Sequence, residues 1–221
     1  MLESYEKALE SLNVEIKGIV ESILRANENF LDATLDDCNI EKFNLAKGYL
    51  KNLSSKVQSI DNQIIKILAL YSPEARDLRE VVSFFKIDNE LLRASSNTRN
   101  LIRGFTENCK SVDEEIIKEY VTPLQTSTIK ALKFVLEMFE IDDIDELKDI
   151  FHNVIVEEDK TDELYAMLEK KIIDSMANES DFMKIHNMLR AFRRSEKIAD
   201  RTISIANLLL YMKEGGTLKK A

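Results

Sequence analysis

Residues 124 to 214 contain neither glycine nor proline, and no other feature of this 221-residue chain narrows its possible folds as much. The whole sequence has five Gly and two Pro. A sheet-based fold needs many tight turns, and turns draw on those two residue types. Long runs rich in Leu, Ile, Lys and Glu favour helix instead. Since 44% of the residues are hydrophobic, such helices have a core to bury. The expected fold class is all-α.

Breakers and caps place the elements. The pattern predicts one helix over 2–35 and a second from about Asn39 to Tyr71. Ser72-Pro73-Glu74 has the form of a helix start, with Ser72 as N-cap and Pro73 in the first turn, and the third helix fades around Gly104. Ser111-Val-Asp-Glu114 matches a capping box. Pro123 starts or kinks a helix ending near Glu140, and Asp142 or Asp143 caps another up to about Ala177. NESD at 178–181 opens the last helix, which stops at Gly215-Gly216. Short connections make neighbours antiparallel, so two three-helix bundles are expected, over 1–108 and 109–221. Setting Leu92 against Glu196 aligns Arg93 with Lys197 and Thr98 with Thr202, a faint sign of an internal repeat.

A net charge of −9 with scattered Lys and Arg argues against nucleic acid as the main partner. No apolar run approaches the ~20 residues that cross a bilayer, and the N-terminus lacks a signal-peptide pattern, so a cytoplasmic protein without membrane insertion is expected. Cys38 and Cys109 lie far apart and form no Cys-x-x-Cys pattern; reduced thiols are the expectation.

The segment RRSEKIADRTIS at 193–204 sets Glu196 and Asp200 one turn apart on a helix that should be core-facing. Leu189, Phe192, Glu196, Ala199, Ile203 and Ala206 alternate steps of three and four, the spacing of a packing seam. On the preceding helix Val154, Glu158, Thr161, Tyr165 and Leu168 do the same, and Asp162 follows Glu158 by one turn. Antiparallel packing lets these two acid pairs face each other. Four converging carboxylates repel unless a cation offsets them, and hard oxygen donors suit Mg, Mn, Ca or non-haem Fe. The metal candidates are therefore Glu158, Asp162, Glu196 and Asp200. Arg193 pairs with these acids or takes an anion beside them. The plainer alternative is a solvated face answered by Lys160, Lys197 or Arg201, and Glu157, Asp159 and Glu163 are read as exposed in that way. His152 and His186 stand in no Glu-x-x-His pair.

SPEARDLREVVSFFKIDNELLR at 72–93 and RRSEKIADRTISIANLLLYMKEG at 193–215 resemble the matching helices of the two repeats of PhoU proteins. Pro73, Ala75, Arg76, Asp77, Leu78 and Arg79 form the more specific part of that likeness. The resemblance spans essentially the whole chain. It implies two three-helix bundles, each able to hold a metal cluster through Glu/Asp-x-x-x-Asp motifs. It also implies a role in phosphate homeostasis, through contact with the cytoplasmic subunit of a phosphate ABC transporter or a sensor histidine kinase, often as a homodimer. Fe, Zn, Mn or Mg is the implied cofactor class. Carried over by position, the second repeat keeps Glu158, Asp162, Glu196 and Asp200, with Ser204 where the family often has Asn. In the first repeat Leu92 and Ser96, with Leu50 and Ser54, stand where acids belong. That site is expected to be lost and closed by packing, with Asp61, Asp88 and Glu90 read as solvated rather than as displaced ligands.

Three functions compete. A non-enzymatic metal-binding regulator ranks first and a metal-free helical scaffold or transporter accessory second. A carboxylate-bridged metalloenzyme ranks last, because no nucleophile–base pair or Gly-rich phosphate loop accompanies the acids.

Overall fold

A computed structural model describes residues 2–174 and 182–216. Among the described residues there are six long helical segments and no strand. The first is α1 (Leu2–Leu35); the second is broken into α2 (Ile40–Tyr49) and α3 (Leu53–Tyr71); the third is α4 (Ala75–Thr106). After a 3-10 turn at Cys109–Ser111 comes the fourth, built from α5 (Glu114–Ile116), a π segment Ile117–Val121 and α6 (Thr122–Met138). The last two are α7 (Ile144–Asp174) and α8 (Phe182–Glu214). The expected end of α7 near Ala177 and the NESD start of α8 lie outside the described residues.

The second segment is not the single helix expected from Asn39 to Tyr71. Asn39 caps α2, its side chain accepting from the N–H groups of Glu41 and Lys42. The chain then breaks at Leu50–Asn52, with Asn52 in left-handed backbone (φ 62°), a conformation Asn tolerates. Leu50 is fully buried, and the Arg99 guanidinium donates to its carbonyl at 3.1 Å, so the break leaves that acceptor satisfied. The start of α4 also differs. Ser72 does not cap it; Ser72 is the left-handed C-cap of α3 (φ 45°), because Pro73 disfavours right-handed helix in the residue before it. Asp113, rather than Ser111, caps α5 by accepting from Glu115 N–H. Pro123 stands in the first turn of α6, directly after the π segment. The missing N–H is accommodated by the π segment just before it, and the Thr122 hydroxyl donates to the Ile117 carbonyl at 2.8 Å.

One continuous apolar core runs through the molecule. On α1, Leu12, Ile16, Ile19, Ile23, Ala26 and Phe30 repeat at steps of three and four and are fully buried. Phe105 joins three helices, stacking edgewise on Phe30 (5.3 Å) and tilted on Phe192 (5.2 Å). The most extensive contact between helices is α4 against α8, and α1 packs on α2, α3, α4 and α6. Inside this apolar surround lies a polar ladder. Asn27 donates to Thr98, Gln125 donates to Asn27, and Ser195 donates to Gln125, linking α1, α4, α6 and α8.

Cys38 and Cys109 form a disulfide, with Cα atoms 5.9 Å apart, and the expectation of reduced thiols is corrected here. They are 71 residues apart in sequence. The first three segments run up, down and up, so the end of α1 and the end of α4 meet. Among the described residues no helix is long and apolar enough to cross a membrane.

Candidate metal centre

α7 and α8 pack against each other, and the expected acids meet between them. Carboxylate oxygens of Glu158, Asp162 and Asp200 lie within 4.8 Å of one another. Among the described residues no Lys or Arg pairs with Glu158 or Asp162. Burial comes first, then the charges of Asp162 and Asp200, in pushing the Glu158 carboxyl up to about 7. This is the behaviour of a carboxyl lacking a counter-charge. The donor set fits a hard cation: three oxygens, no soft ligand, two helices holding them at one level.

Glu196, the fourth expected member, is differently placed. It is 4% exposed and held by the protein's own cations. Its Oε1 accepts from Lys197 Nζ at 3.1 Å, while Oε2 lies 3.3 Å from Arg193 Nε without hydrogen-bond alignment. Burial raises its carboxyl, and the Lys197 hydrogen bond works against that rise. Lys197 also bonds Asp200 Oδ2 at 2.6 Å, and Arg201 stands 3.6 Å from the same oxygen. Lys197 is thus an internal cation spanning the two acids of α8. Arg193 lies over the Tyr165 ring, 5.0 Å from its centroid, and so fixes its guanidinium beside Glu196. The Ser204 hydroxyl donates to the Asp200 carbonyl at 3.1 Å, bonding within its own helix.

Three residues on α7 depart from expectation, and the first is Asp162, expected to face the seam with Glu158 but exposed at its edge. Glu157, read as exposed, is 6% exposed and pairs with Lys160 at 2.7 Å. Glu158, read as a core position, is only half-buried. The core stripe runs Val154, Glu157, Thr161, Tyr165, a three-then-four path where a four-then-three path through Glu158 had equal standing in the sequence. Glu158 therefore sits on the flank of the seam, close enough to water to admit an ion.

At the corresponding place in the first three segments, Leu50 is buried and Leu92 packs against the core, with Ser54 exposed and Ser96 half-buried. A surprise lies nearby. Asp88, read as solvated, is 0% exposed, and neither of its carboxylate oxygens meets a donor. Asp61 on α3 faces it across the helix pair. Burial, then the charge of Asp61 and hydrogen bonding to it, lifts the Asp88 carboxyl to about 8. Shut away from water beside a second carboxyl, Asp88 is held toward its neutral form. The signal was available: Phe84, Ile87, Asp88 and Leu91 lie on one apolar stripe.

Residues 122–209 match the PhoU domain model, a span that includes all of the converging acids. Over 98% of the chain and 86% of the relative, the sequence is 25% identical to the phosphate-specific transport system accessory protein PhoU homolog of Aquifex aeolicus. It is also 25% identical to the accessory protein PhoU of Escherichia coli, over 92% of the chain and 85% of that protein. The fold matches the crystal structure of the phosphate transport system regulatory protein PhoU from Streptococcus pneumoniae, with TM-score 0.79 and 20% identity, covering 98% of this chain and 100% of that one. PhoU from Pseudomonas aeruginosa superposes with TM-score 0.75 and 20% identity, over 97% and 98% of the two chains.

Proposed function

We propose that this chain, which matches the PhoU domain model over residues 122–209, is a PhoU-like, non-enzymatic accessory and regulatory protein of phosphate transport that holds a metal ion in its C-terminal bundle. In this reading it works on the cytoplasmic side, by contact with the transporter's cytoplasmic subunit or a sensor kinase. Glu158, Asp162 and Asp200 would hold the ion, with Glu196 and Lys197 setting the charge around it. The first bundle, with Leu50 and Leu92 packed where acids are expected, takes no part in ligation. The observation that carries the reading is the convergence of three carboxylates, two of them without a protein cation, inside the segment that matches the PhoU domain. Such a group is costly without a counter-ion, and a bound cation also supplies a fixed charge around which the bundle surface is organised.

A metal-free scaffold is the second reading, and one observation favours it. Lys197 already bridges Glu196 and Asp200 as a built-in cation. Elemental analysis of the purified full chain separates the two. Stoichiometric metal that is lost in Glu158→Gln with Asp200→Asn supports the first reading, and metal-free protein with unchanged transporter pull-down in the same variant supports the second.

A further inference from the structure

Away from the acidic seam, α4 and α8 form a polar groove of about 250 Å³ between the last turns of α4 and the first half of α8. Its floor is the contact of Gly104 with Ala191. A Cβ added at Gly104 would lie 3.2 Å from the Ala191 Cβ, so glycine is what lets the two helices come this close. Three guanidiniums line it: Arg103 from α4, and Arg190 and Arg194 from α8. Glu107 is the lone acid of the lining, and among the described residues no carboxylate pairs with any of the three. In a chain of net charge −9, this is an unusual local excess of positive charge.

Two of the guanidiniums are positioned by neutral acceptors that leave their charge uncompensated. Arg103 donates to Asn100 Oδ1 at 3.0 Å, and Arg194 donates across the helix interface to Asn97 Oδ1 at 3.3 Å. The Asn108 amide donates to the Gly104 carbonyl at 3.1 Å and so occupies one of the last-turn acceptors of α4 that would repel an anion. The Asn187 side chain adds a further amide to the wall. Fork-shaped donors lining a small polar groove match a tetrahedral, multiply charged oxyanion better than a neutral ligand.

We propose that this groove is a binding site for a small phosphate-class oxyanion, either inorganic phosphate or the phosphoryl end of a small phosphomonoester, clamped between α4 and α8 by Arg103, Arg190 and Arg194. The site is separate from the metal centre. Arg194 and Glu196 are two residues apart on α8, about 200° around the helix, so the two sites use opposite faces of one rod. An occupant bridges a helix of the N-terminal half to one of the C-terminal half, and ligation here stiffens the pair that forms the largest contact in the molecule.

Isothermal titration of the full chain with inorganic phosphate, and in a second arm with glycerol phosphate, tests this. Saturable binding is expected in at least one arm, and the tighter arm identifies the source. Arg190→Gln and Arg103→Gln are each expected to weaken binding by roughly tenfold or more, the loss of one charge-assisted contact. Arg190 is exposed, so its replacement leaves the fold intact. Arg25→Gln, on the outer face of α1, and Glu158→Gln, at the metal centre, are expected to bind as the parent does. No saturable binding in either arm, equal affinity in Arg190→Gln and the parent, or loss of binding only in Glu158→Gln would each overturn the proposal.

Discussion

The Gln125 side-chain amide donates to Asn27 Oδ1 at 2.8 Å, with both residues buried and 98 positions apart in the chain. The same Gln125 accepts from the Ser195 hydroxyl at 2.8 Å. Through this one side chain, α6 is tied to both α1 and α8 in the middle of an apolar core. Gln125→Leu strands an acceptor on Asn27 and a donor on Ser195, and is expected to cost about 2–4 kcal/mol. Thr98→Val is expected to cost less, about 1 kcal/mol, since Asn27 Nδ2 keeps its 2.8 Å bond to the Ile23 carbonyl. Denaturant unfolding of the two variants measures the difference; equal losses would show that the ladder does not act as described.

Asp88 gives a pH dependence of defined sign. Its folded carboxyl titrates near 8 against an ordinary value of 3.8. The contribution is therefore fully present below about pH 4 and is lost as pH rises through about 8, because the folded state must then give up a proton that the unfolded chain released long before. Asp88→Asn keeps the shape, stays neutral and can donate to Asp61. Thermal melts of parent and variant across pH 5 to 9 are expected to diverge, with the variant more stable by about 1–3 kcal/mol at the alkaline end. Parallel curves would show that the fold does not hold Asp88 neutral.

The Cys38–Cys109 bond closes a loop between positions 71 residues apart, a constraint on the unfolded chain worth about 2–4 kcal/mol. Reduction, or Cys109→Ser, is expected to lower the melting temperature by roughly 5–10 °C for a chain of this size. Thiol titration of the unfolded, unreduced protein checks the bond directly, and two reactive thiols would disprove it.

Lys197 distinguishes a built-in counter-ion from a competitor for a metal. Lys197→Gln is expected to raise manganese affinity about tenfold, since Asp200 then loses its nearest cation, and to cost the metal-free protein about 1 kcal/mol. Manganese titration followed by electron paramagnetic resonance reads the first effect and denaturant unfolding the second. Affinity unchanged or lowered would place Lys197 outside the metal's electrostatic reach.

The helical class and most helix boundaries were legible because they follow from local causes: scarce breakers, three-and-four spacing, and the Asn39 and Asp143 caps. So was the meeting of Glu158 and Asp162 with Asp200, since residues one turn apart share a face and short connections make neighbours antiparallel. Where two local rules tied, the sequence was silent. Glu157 and Glu158 both continue a three-and-four stripe, and only the way α7 packs on α6 and α8 decides which one is buried. The break at Asn52 likewise depends on what waits there, an Arg99 from another helix that donates to the freed Leu50 carbonyl.

By itself, then, the amino-acid order determined long helices and which faces of them carry acid. Tertiary packing alone decided that Asp88 is shut away from water opposite Asp61, that two distant cysteines meet, and that arginines of two helices share one groove. The physical reason is range. Helix formation is settled by neighbours within about one turn, whereas burial and contact between helices depend on groups far apart in the chain, 71 positions for Cys38 and Cys109 and 98 for Asn27 and Gln125.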